Sequence, residues 1–419
     1  MSSVKQKIAL SEDWTIVVLG FLIIFLALWG VIIDAPLFTW DSFSELSLNV
    51  LNRANLLKTG IQFLFVYAIA IAGTMIMGKS IQGMLKSFPV IYVLTIVAFI
   101  IGGNGKVKLL NMETVIFCLG IGLIVRNFFT VPAWLQQSLA SEFFVKIGLV
   151  LLGTSVIFSD ILKAGALGLI QALAVVLSVW YFSFWLCKKL KVDKELSLML
   201  SSAVSICGVS AAIATSGAIK GDAKKLSLVV SLVLITAVPM MIAMPWIAGW
   251  LGLSEAITGA WLGGTIDTTG AVAASGSLVG ETALKISTIV KFSQNVLLGI
   301  AAFAISVYWT YTKSTSKQAA VEKPTLKVIW ERFPKFVVGF ILASVIFSFF
   351  LDPGVSGQVK TPLKNLQGLW FALAFTSIGL ETNFKDLVGI HNRKPVIAFL
   401  GAQLFNIFTT LIIAYFLFG

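Results

Sequence analysis

Charged residues are scarce in this chain, and their scarcity excludes most soluble folds. Only 12% of the 419 residues are Asp, Glu, Lys or Arg, whereas 58% are hydrophobic. Soluble domains carry about 25% charged residues. Apolar runs of about 20 residues, the length that an α-helix needs to cross a bilayer, recur along the chain. Because backbone polar groups in lipid must be satisfied internally, the composition indicates a helical integral membrane protein.

Histidine and cysteine are also rare, which excludes several kinds of site. The one histidine, His391, lies in a basic stretch, so neither a histidine metal site nor a Ser-His-Asp triad is predicted. Cys118, Cys187 and Cys207 lie in or beside apolar segments without metal-ligand spacing. No G-x-x-x-x-G-K-[ST] motif is present, so ATP-driven transport by this chain is not expected. We therefore predict no enzyme activity, no metal centre and no cofactor.

Basic residues outnumber acidic ones, 31 to 19, and give a formal net charge of +12. They gather in short stretches between apolar runs, which is the positive-inside pattern of membrane proteins and not the footprint of a nucleic-acid partner. Stretches 188–194, 313–335 and 385–394 would share the cytoplasmic side of a bacterial inner membrane with the N-terminus. The C-terminus would then be periplasmic. Stretch 220–225, which holds three lysines, falls on the wrong side in this arrangement.

Hydropathy predicts an all-α protein of about thirteen transmembrane helices. In chain order, residues 1–108 would form three N-terminal helices, and residues 109–312 a first half that contains two interrupted helices. Residues 313–335 would form a basic cytoplasmic linker. Residues 336–419 would form the C-terminal helices. A polar start over residues 1–14 predicts no cleavable signal peptide.

Two predicted spans are interrupted by glycine and hydroxyl-bearing residues. The first reads ICGVSAAIATSG over 206–217, and the second reads GGTIDTTGAVAASG over 263–276. Glycine in a helix costs about 1 kcal/mol relative to alanine, so these glycines require a reason. One reason is close packing between helices, which small residues permit. The other is a helix broken at the bilayer midplane, whose half-helix ends point at a substrate.

Two internal similarities also emerge from the sequence. Gly153 begins GTSVIFSDIL and Gly379 begins GLETNFKDLV, and an apolar span follows each copy. An odd number of predicted spans separates the copies, which predicts opposite orientations and an inverted repeat. The segments that begin at Ser216 and Ser275 are also similar, but by the same count they would be parallel.

The segments ICGVSAAIATSGAIKGD, GGTIDTTGAVAASG and GETALKISTIVKFSQNVLL resemble the YeiH-type family, which carries the label of sulfate exporter. The match covers roughly residues 110–310, and GLETNFKDL matches more loosely. The family is similar to cation:proton antiporters and bile-acid:sodium symporters. The resemblance implies two helices broken at mid-membrane, a mobile core beside a stationary panel, elevator-like movement and a homodimer.

The sequence departs from the family pattern at two places, and both bear on the substrate. The family commonly has a histidine followed by an acid where this chain has Asp267 and Thr268. A basic residue expected shortly after Lys291 is replaced by Gln294.

Asp267 is the predicted ion-coupling residue. A carboxylate near the bilayer centre is costly unless it is paired or faces a cavity. The alternative is an acid at a loop end that water reaches. Lys291 lies later in an apolar span and is the predicted partner of Asp267 or a contact for an anion. The alternative for Lys291 is a side chain that snorkels to the membrane surface.

Substrate contacts are predicted at both interruptions, because half-helix N-termini present N–H groups and a positive dipole end to anions. These residues are Ser205, Cys207, Gly208, Ser210, Thr265, Thr268, Thr269 and Gly270. Secondary candidates are Ser293, Gln294, Asn295, Glu381 and Asn383. Helix packing and solvation at the membrane surface are the alternative explanations.

The sequence thus predicts a secondary active transporter that carries a small anion by alternating access. Sulfate-like or sulfonate-like substrates come first, coupled to Na⁺ or H⁺. One alternative is a cation:proton antiporter in which Asp267 binds the cation and no anion moves. An alternative of another class is a channel.

Overall fold

The computed structural model describes the chain in four ranges, 10–109, 114–313, 333–383 and 393–419. Every regular element in these ranges is helical, and an isolated bridge between Trp40 and Asn104 is the only strand-like pairing among them. The all-α class is therefore confirmed. His391, most of the predicted linker and the end of the second repeat copy lie outside the described residues.

The helices are numbered in chain order. The first nine are α1 (Glu12–Leu28), α2 (Phe43–Glu45), α3 (Arg53–Ile76), α4 (Ile81–Gly102), α5 (Gly105–Leu109), α6 (Thr114–Phe128), α7 (Ala133–Gln136), α8 (Ser141–Leu152) and α9 (Phe158–Lys189). The others are α10 (Lys194–Ser202), α11 (Val209–Ile219), α12 (Ala223–Trp250), α13 (Glu255–Thr265), α14 (Thr269–Val279), α15 (Glu281–Lys313), α16 (Lys335–Val345), α17 (Pro353–Glu381) and α18 (Arg393–Phe418).

Several helices begin where the sequence supplies a capping side chain. An oxygen of such a residue accepts a hydrogen bond from a backbone N–H of the first turn, which otherwise has no partner. The capping residues are Ser11, Asn52, Asp193, Asp222, Ser254, Thr268 and Asp352. Local sequence therefore fixes many of the helix starts.

Within the described ranges, six helical stretches, one of which joins α7 and α8, are long and apolar enough to cross a membrane. These are Arg53–Ile76, Ile81–Gly102, Ala133–Ser155, Phe158–Lys189, Ala223–Trp250 and Arg393–Phe418. The number of thirteen crossings stays a prediction, because helices such as α10 and α11 have only 9 and 11 residues.

By their internal contacts, the residues form two compact units. Unit 1 comprises Met1–Phe158 and Lys335–Asn383, and unit 2 comprises Ser159–Pro334 and Phe384–Gly419. Each unit thus combines two separate stretches of chain. This division differs from the linear segments predicted above, which describe chain order alone.

In unit 1, α17 packs against both α6 and α8. Gly122 and Gly379 allow the closest approach, because a Cβ atom on Gly122 would lie 2.8 Å from the Cα of Gly379. In the same unit the aromatic rings of Phe88, Phe144 and Trp370 pack together, with centroids 5.6–6.4 Å apart. The glycine of the second repeat copy therefore serves helix packing.

In unit 2, α15 packs against both α13 and α14. Glycines make this possible: a Cβ atom on Gly263 would lie 3.0 Å from the Cα of Ser287, and one on Gly276 would lie 2.8 Å from the Cα of Leu284. Close packing by small residues is thus part of the reason for the second glycine-rich stretch. The other part is a break between α13 and α14.

Candidate functional site

The first break separates α10 from α11. Residues Ala203–Cys207 form a π-helical turn, and Gly208 then has φ +60° and ψ −114° before α11 starts at Val209. Glycine adopts this conformation without the steric penalty of a side chain. Among the described residues, no side chain caps the N-terminus of α11. The interruption predicted around Cys207 and Gly208 is therefore present.

The second break separates α13 from α14. Helix α13 ends at Thr265, Ile266 is extended with φ −74° and ψ 130°, and α14 starts at Thr269. The Thr268 hydroxyl caps α14 by accepting a hydrogen bond of 3.2 Å from the N–H of Ala271. Asp267 thus lies in the middle of a break.

The two breaks lie against each other at Gly208 and Asp267. A Cβ atom on Gly208 would lie 3.0 Å from the Cβ of Asp267 and 2.7 Å from a methyl group of Val233. Gly208 is therefore needed for two reasons, its positive φ and the space that Asp267 occupies.

Two side chains of α15 bind carbonyl groups of the breaks. Gln294 Nε2 donates to the carbonyl of Ser205 (2.8 Å) and to that of Gly264 (3.2 Å). Lys291 Nζ donates to the carbonyl of Ile206 (2.9 Å) and to Gln294 Oε1 (2.9 Å). Helix ends leave carbonyl groups without intrahelical partners, and these donors supply the missing bonds. Gln294 thereby links the first break to the second.

Side chains of α18 provide the matching link. Asn406 Nδ2 donates to the carbonyl of Val204 (3.1 Å) and to that of Thr265 (3.3 Å). Gln403 Nε2 also donates to the carbonyl of Thr265 (3.1 Å). The Thr410 hydroxyl donates to Asn406 Oδ1 (2.7 Å) and orients that amide.

Gln403, Asn406 and Thr410 are absent from the predicted site. Their signal is present in the sequence, because the spacings of three and four residues place all three on one face of an apolar helix. Polar residues on one face of such a span indicate a buried polar partner, which here is the backbone of the two breaks.

Asp267 and Lys291 are each only 1% exposed. Asp267 is therefore not a loop-end acid that water reaches, and Lys291 does not snorkel. Within the described ranges the Lys291 ammonium bonds to Ile206 and Gln294, with no direct ion pair to Asp267. Asp267 Oδ2 is buried and has no hydrogen-bond partner there. Their pairing in function stays a prediction.

The other predicted residues of unit 2 have varied surroundings. Ser205 and Cys207 are buried in the first break, whereas Ser210 is exposed. Ser205 Oγ donates to the carbonyl of Ser201 (2.7 Å). Asn295 Nδ2 lies 3.4 Å from the hydroxyl of Thr269.

Three further predicted residues complete that set. Gly270 is buried in the first turn of α14. Ser293 Oγ donates to the carbonyl of Ile289 (3.0 Å) within its own helix. Thr268 is the cap described above and is partly buried.

Glu381 and Asn383 belong to unit 1. Glu381 is exposed as a whole residue, but its carboxylate lies in a partly buried place and accepts hydrogen bonds from the Ser141 hydroxyl (2.6 Å) and the Ser141 N–H (3.2 Å). It thus caps α8, which has no cap of its own. Asn383 is partly buried.

Comparison with known proteins shows which family the chain matches. The model of the family described as conserved hypothetical protein 698 matches residues 86–398, which include both breaks. A UPF0324 membrane protein of Rhodopirellula baltica is 39% identical over 365 residues, covering 85% of this chain and 67% of that protein. One of Nitratidesulfovibrio vulgaris is 37% identical over 361 residues, covering 83% of this chain and 61% of that protein.

A more distant relative matches over most of both chains. A UPF0324 membrane protein of Nitrosomonas europaea is 28% identical over 446 aligned positions, which cover 91% of this chain and 90% of that protein. By contrast, the chain covers only 67% of the Rhodopirellula baltica protein and 61% of the Nitratidesulfovibrio vulgaris protein. No solved structure matches the chain.

Proposed function

The chain belongs to the family of conserved hypothetical protein 698, the YeiH-type family, and from that premise we propose that it is a secondary active transporter of a small anion. The relatives reported above are named membrane proteins. The observation that carries the proposal is the meeting of two broken helices at a buried acid and a buried lysine. Broken helices that meet at a polar centre are typical of secondary transporters.

The anion would bind at the half-helix N-termini. Helix α11 starts without a side-chain cap, so its first N–H groups and its positive dipole end are available to an anion. Lys291 lies one hydrogen bond away from the same break, at the carbonyl of Ile206. Sulfate-like or sulfonate-like anions fit this set of donors, with Cys207, Ser210, Thr268 and Thr269 at the edge of the site.

Asp267 would couple anion movement to a cation. Among the described residues its Oδ2 has no hydrogen-bond partner, and a buried carboxylate oxygen without a donor is costly, so it favours the binding of Na⁺ or H⁺. The same observation favours a second candidate, a cation:proton antiporter in which the cation alone moves.

The remaining features follow from the family resemblance and from charge. Both breaks belong to unit 2, which would be the mobile core in an elevator-like movement. A homodimer in the bacterial inner membrane, with the N-terminus cytoplasmic and the C-terminus periplasmic, completes the proposal.

Uptake by reconstituted proteoliposomes tests the proposed anion transport. Labelled sulfate or a small alkyl sulfonate is offered under an imposed Na⁺ or pH gradient, with the wild type, Asp267→Asn, and Glu381→Gln as matched control. We expect saturable, gradient-driven uptake that Asp267→Asn abolishes and Glu381→Gln retains. Cation exchange without anion uptake supports the antiporter instead. Conductance that does not saturate supports a channel.

A further inference from the structure

The two ends of the first interrupted segment lie close together. Residues 194–219 would extend about 39 Å as one straight helix, at about 1.5 Å per residue. Yet Lys225 Nζ, just beyond the end of α11, donates to Asp193 Oδ1 (2.6 Å) and to Glu195 Oε2 (3.1 Å) at the start of α10. Helices α10 and α11 therefore run in opposite directions and form a hairpin, hairpin 1, whose tip is the break at Gly208.

The second interrupted segment folds back in the same way. Residues 255–279 would extend about 37 Å as one straight helix, at about 1.5 Å per residue. The carboxylate of Glu255, the first residue of α13, instead accepts hydrogen bonds from the backbone N–H groups of Thr282 (3.1 Å) and Ala283 (3.4 Å), which follow α14. Helices α13 and α14 thus form hairpin 2, with Asp267 at its tip.

The hairpins are joined by a helix that is long enough to separate their bases. Helix α12 (Ala223–Trp250) links the end of hairpin 1 to the start of hairpin 2, and its 28 residues are apolar enough to cross a membrane. A crossing α12 places the two bases on opposite sides of the membrane, whereas the tips meet at Gly208 and Asp267.

The surroundings of the tips suit a position inside the membrane. Non-helical backbone is tolerated at membrane depth only where protein or a water-filled cavity, and not lipid, surrounds it. Both tips meet this condition, because residues 203–208 and 265–267 are buried. Gln294 Nε2 also supplies a donor to the carbonyls of Ser205 and Gly264 beside the two tips.

Charge distinguishes the two bases. At the base of hairpin 1, stretches 188–194 and 220–225 hold four and three lysines, whereas the base of hairpin 2 holds Glu255 and Glu281. By the positive-inside rule, hairpin 1 opens to the cytoplasm. Stretch 220–225 falls on the wrong side when the first interrupted segment crosses the membrane, and a hairpin returns it to the cytoplasmic side.

The same arrangement reconciles the second internal similarity. The similar segments begin at Ser216 and Ser275, each in the second arm of a hairpin, and each continues into a long helix, α12 or α15. Counted as parts of crossing spans, the two segments would be parallel. As hairpin arms that leave the tips toward opposite sides, they are antiparallel, which is the orientation of an inverted repeat.

We infer that residues 194–219 and 255–279 are re-entrant hairpins that enter the membrane from opposite sides. Each hairpin replaces one of the thirteen predicted spans, so the chain crosses the membrane eleven times. Hairpin 1 borders the route from the cytoplasm to the meeting point of the tips, and hairpin 2 borders the route from the periplasm. The assignment of routes rests on the proposed function, whereas the hairpins themselves do not.

Labelling with a membrane-impermeant maleimide tests the hairpins. Cysteines are introduced singly at exposed positions, as Lys188→Cys and Lys224→Cys at the base of hairpin 1 and as Ser254→Cys and Thr282→Cys at the base of hairpin 2. The three native cysteines are buried, and the wild type measures their background.

We expect the hairpin 1 pair to be labelled only in inside-out membrane vesicles and the hairpin 2 pair only in right-side-out vesicles. Labelling of the two members of either pair from opposite sides, or of all four cysteines from one side, overturns the hairpins. Labelling of each pair from the reverse of its expected side overturns the assigned routes.

Cross-linking gives a measurement that does not depend on the orientation of vesicles. A short bis-maleimide is applied to the purified double variant Glu195→Cys with Lys225→Cys, whose native side chains are in contact. The matched control is Glu195→Cys with Thr282→Cys, which combines the two bases. We expect mass spectrometry to detect an intramolecular cross-link in the first variant and its loss in the control. Equal yields overturn hairpin 1.

The cytoplasmic route has a separate test at Ser210, an exposed residue just beyond the tip of hairpin 1. We expect Ser210→Cys to be labelled from the cytoplasmic side and sulfate to slow the labelling. Labelling from the periplasmic side alone, or none, overturns the route assigned to hairpin 1. If the base cysteines support both hairpins but sulfate has no effect and no anion uptake occurs, the hairpins stand and the anion proposal is overturned.

Discussion

Unit 1 and unit 2 hold their predicted acids in opposite ways. Glu381 in unit 1 has a partly buried carboxylate that accepts two hydrogen bonds from Ser141 at the start of α8. Asp267 in unit 2 is buried in a helix break, and its Oδ2 has no donor within the described part of the chain. An acid that is satisfied by its own fold stabilises that fold, whereas an unsatisfied buried acid is stable only with a ligand or a proton.

The glycines of the two units differ in the same way. Gly122 and Gly379 in unit 1 bring two continuous helices together. Gly208 in unit 2 has a positive φ and ends a helix in the interior. Close packing and interruption thus use the same residue type, and only the second creates a polar centre.

The largest effect is expected when a link between the breaks is removed. Gln294→Leu leaves the carbonyls of Ser205 and Gly264 without their donor, at roughly 1–3 kcal/mol for each buried carbonyl. Urea or thermal unfolding measures the loss. The matched control is Gln367→Leu in unit 1, where the amide oxygen has no hydrogen-bond partner among the residues that the structure describes. If the two variants lose the same free energy of unfolding, the Gln294 bonds to the two breaks do not stabilise the fold more than an ordinary buried glutamine does.

Gly208→Ala should have the next largest effect. The side chain would force a strained φ and approach Asp267, at a cost of about 1–3 kcal/mol, and gradient-driven uptake should be lost. Gly217→Ala in the same segment provides the control, because its Cβ position has nothing within 4 Å. It should gain up to about 1 kcal/mol and retain uptake. A tolerated Gly208→Ala would show that the break does not need its present geometry.

A smaller effect is expected from Glu381→Ala. Loss of the carboxylate removes the cap of α8 and should cost about 0.5–2 kcal/mol, the usual range for a helix cap. Uptake per folded protein should stay at the wild-type level, in contrast to Asp267→Asn. Loss of uptake without loss of stability would give Glu381 the functional role that its sequence position suggested.

The smallest effect concerns an exposed acid of unit 2. Burial raises the pKa of Asp193, but hydrogen bonds from Lys225 (2.6 Å) and from backbone N–H groups outweigh it, so the pKa is lowered overall. The lowered pKa stabilises the folded state above the pKa of the unfolded chain, and this contribution disappears as the pH falls through the folded pKa.

Because Asp193 is half exposed, the contribution should be below about 1 kcal/mol. Unfolding midpoints of the wild type and Asp193→Asn, measured from neutral pH down to strongly acidic pH, should differ at neutral pH and converge at the acidic end. A constant difference over the whole range would exclude the ionised carboxylate as its cause.

The sequence was sufficient to locate both breaks. Gly208 interrupts one apolar span and Asp267 with its hydroxyl neighbours interrupts a second, so local chemistry predicted both positions while leaving helix packing open as an alternative. The cap role of Thr268 has the same local origin.

Other features depend on tertiary contacts and were not accessible in that way. The bonds from Gln403 and Asn406 join residues separated by most of unit 2. The two-unit division depends on α16 and α17 packing with the first 158 residues and on α18 packing with unit 2. The order of the helices along the chain reveals neither these long-range hydrogen bonds nor the two-unit division. The exposure of Ser210 likewise depends on which face of α11 its neighbours cover.

The double amide link has a mechanical consequence. Gln294 and Asn406 each bind a carbonyl of the first break and one of the second, so rotation of either half-helix pair strains bonds to the other. The four half-helices are therefore expected to move together when a ligand binds to any one of them. A ligand that binds at one break would then shift the backbone of the other break without contacting it.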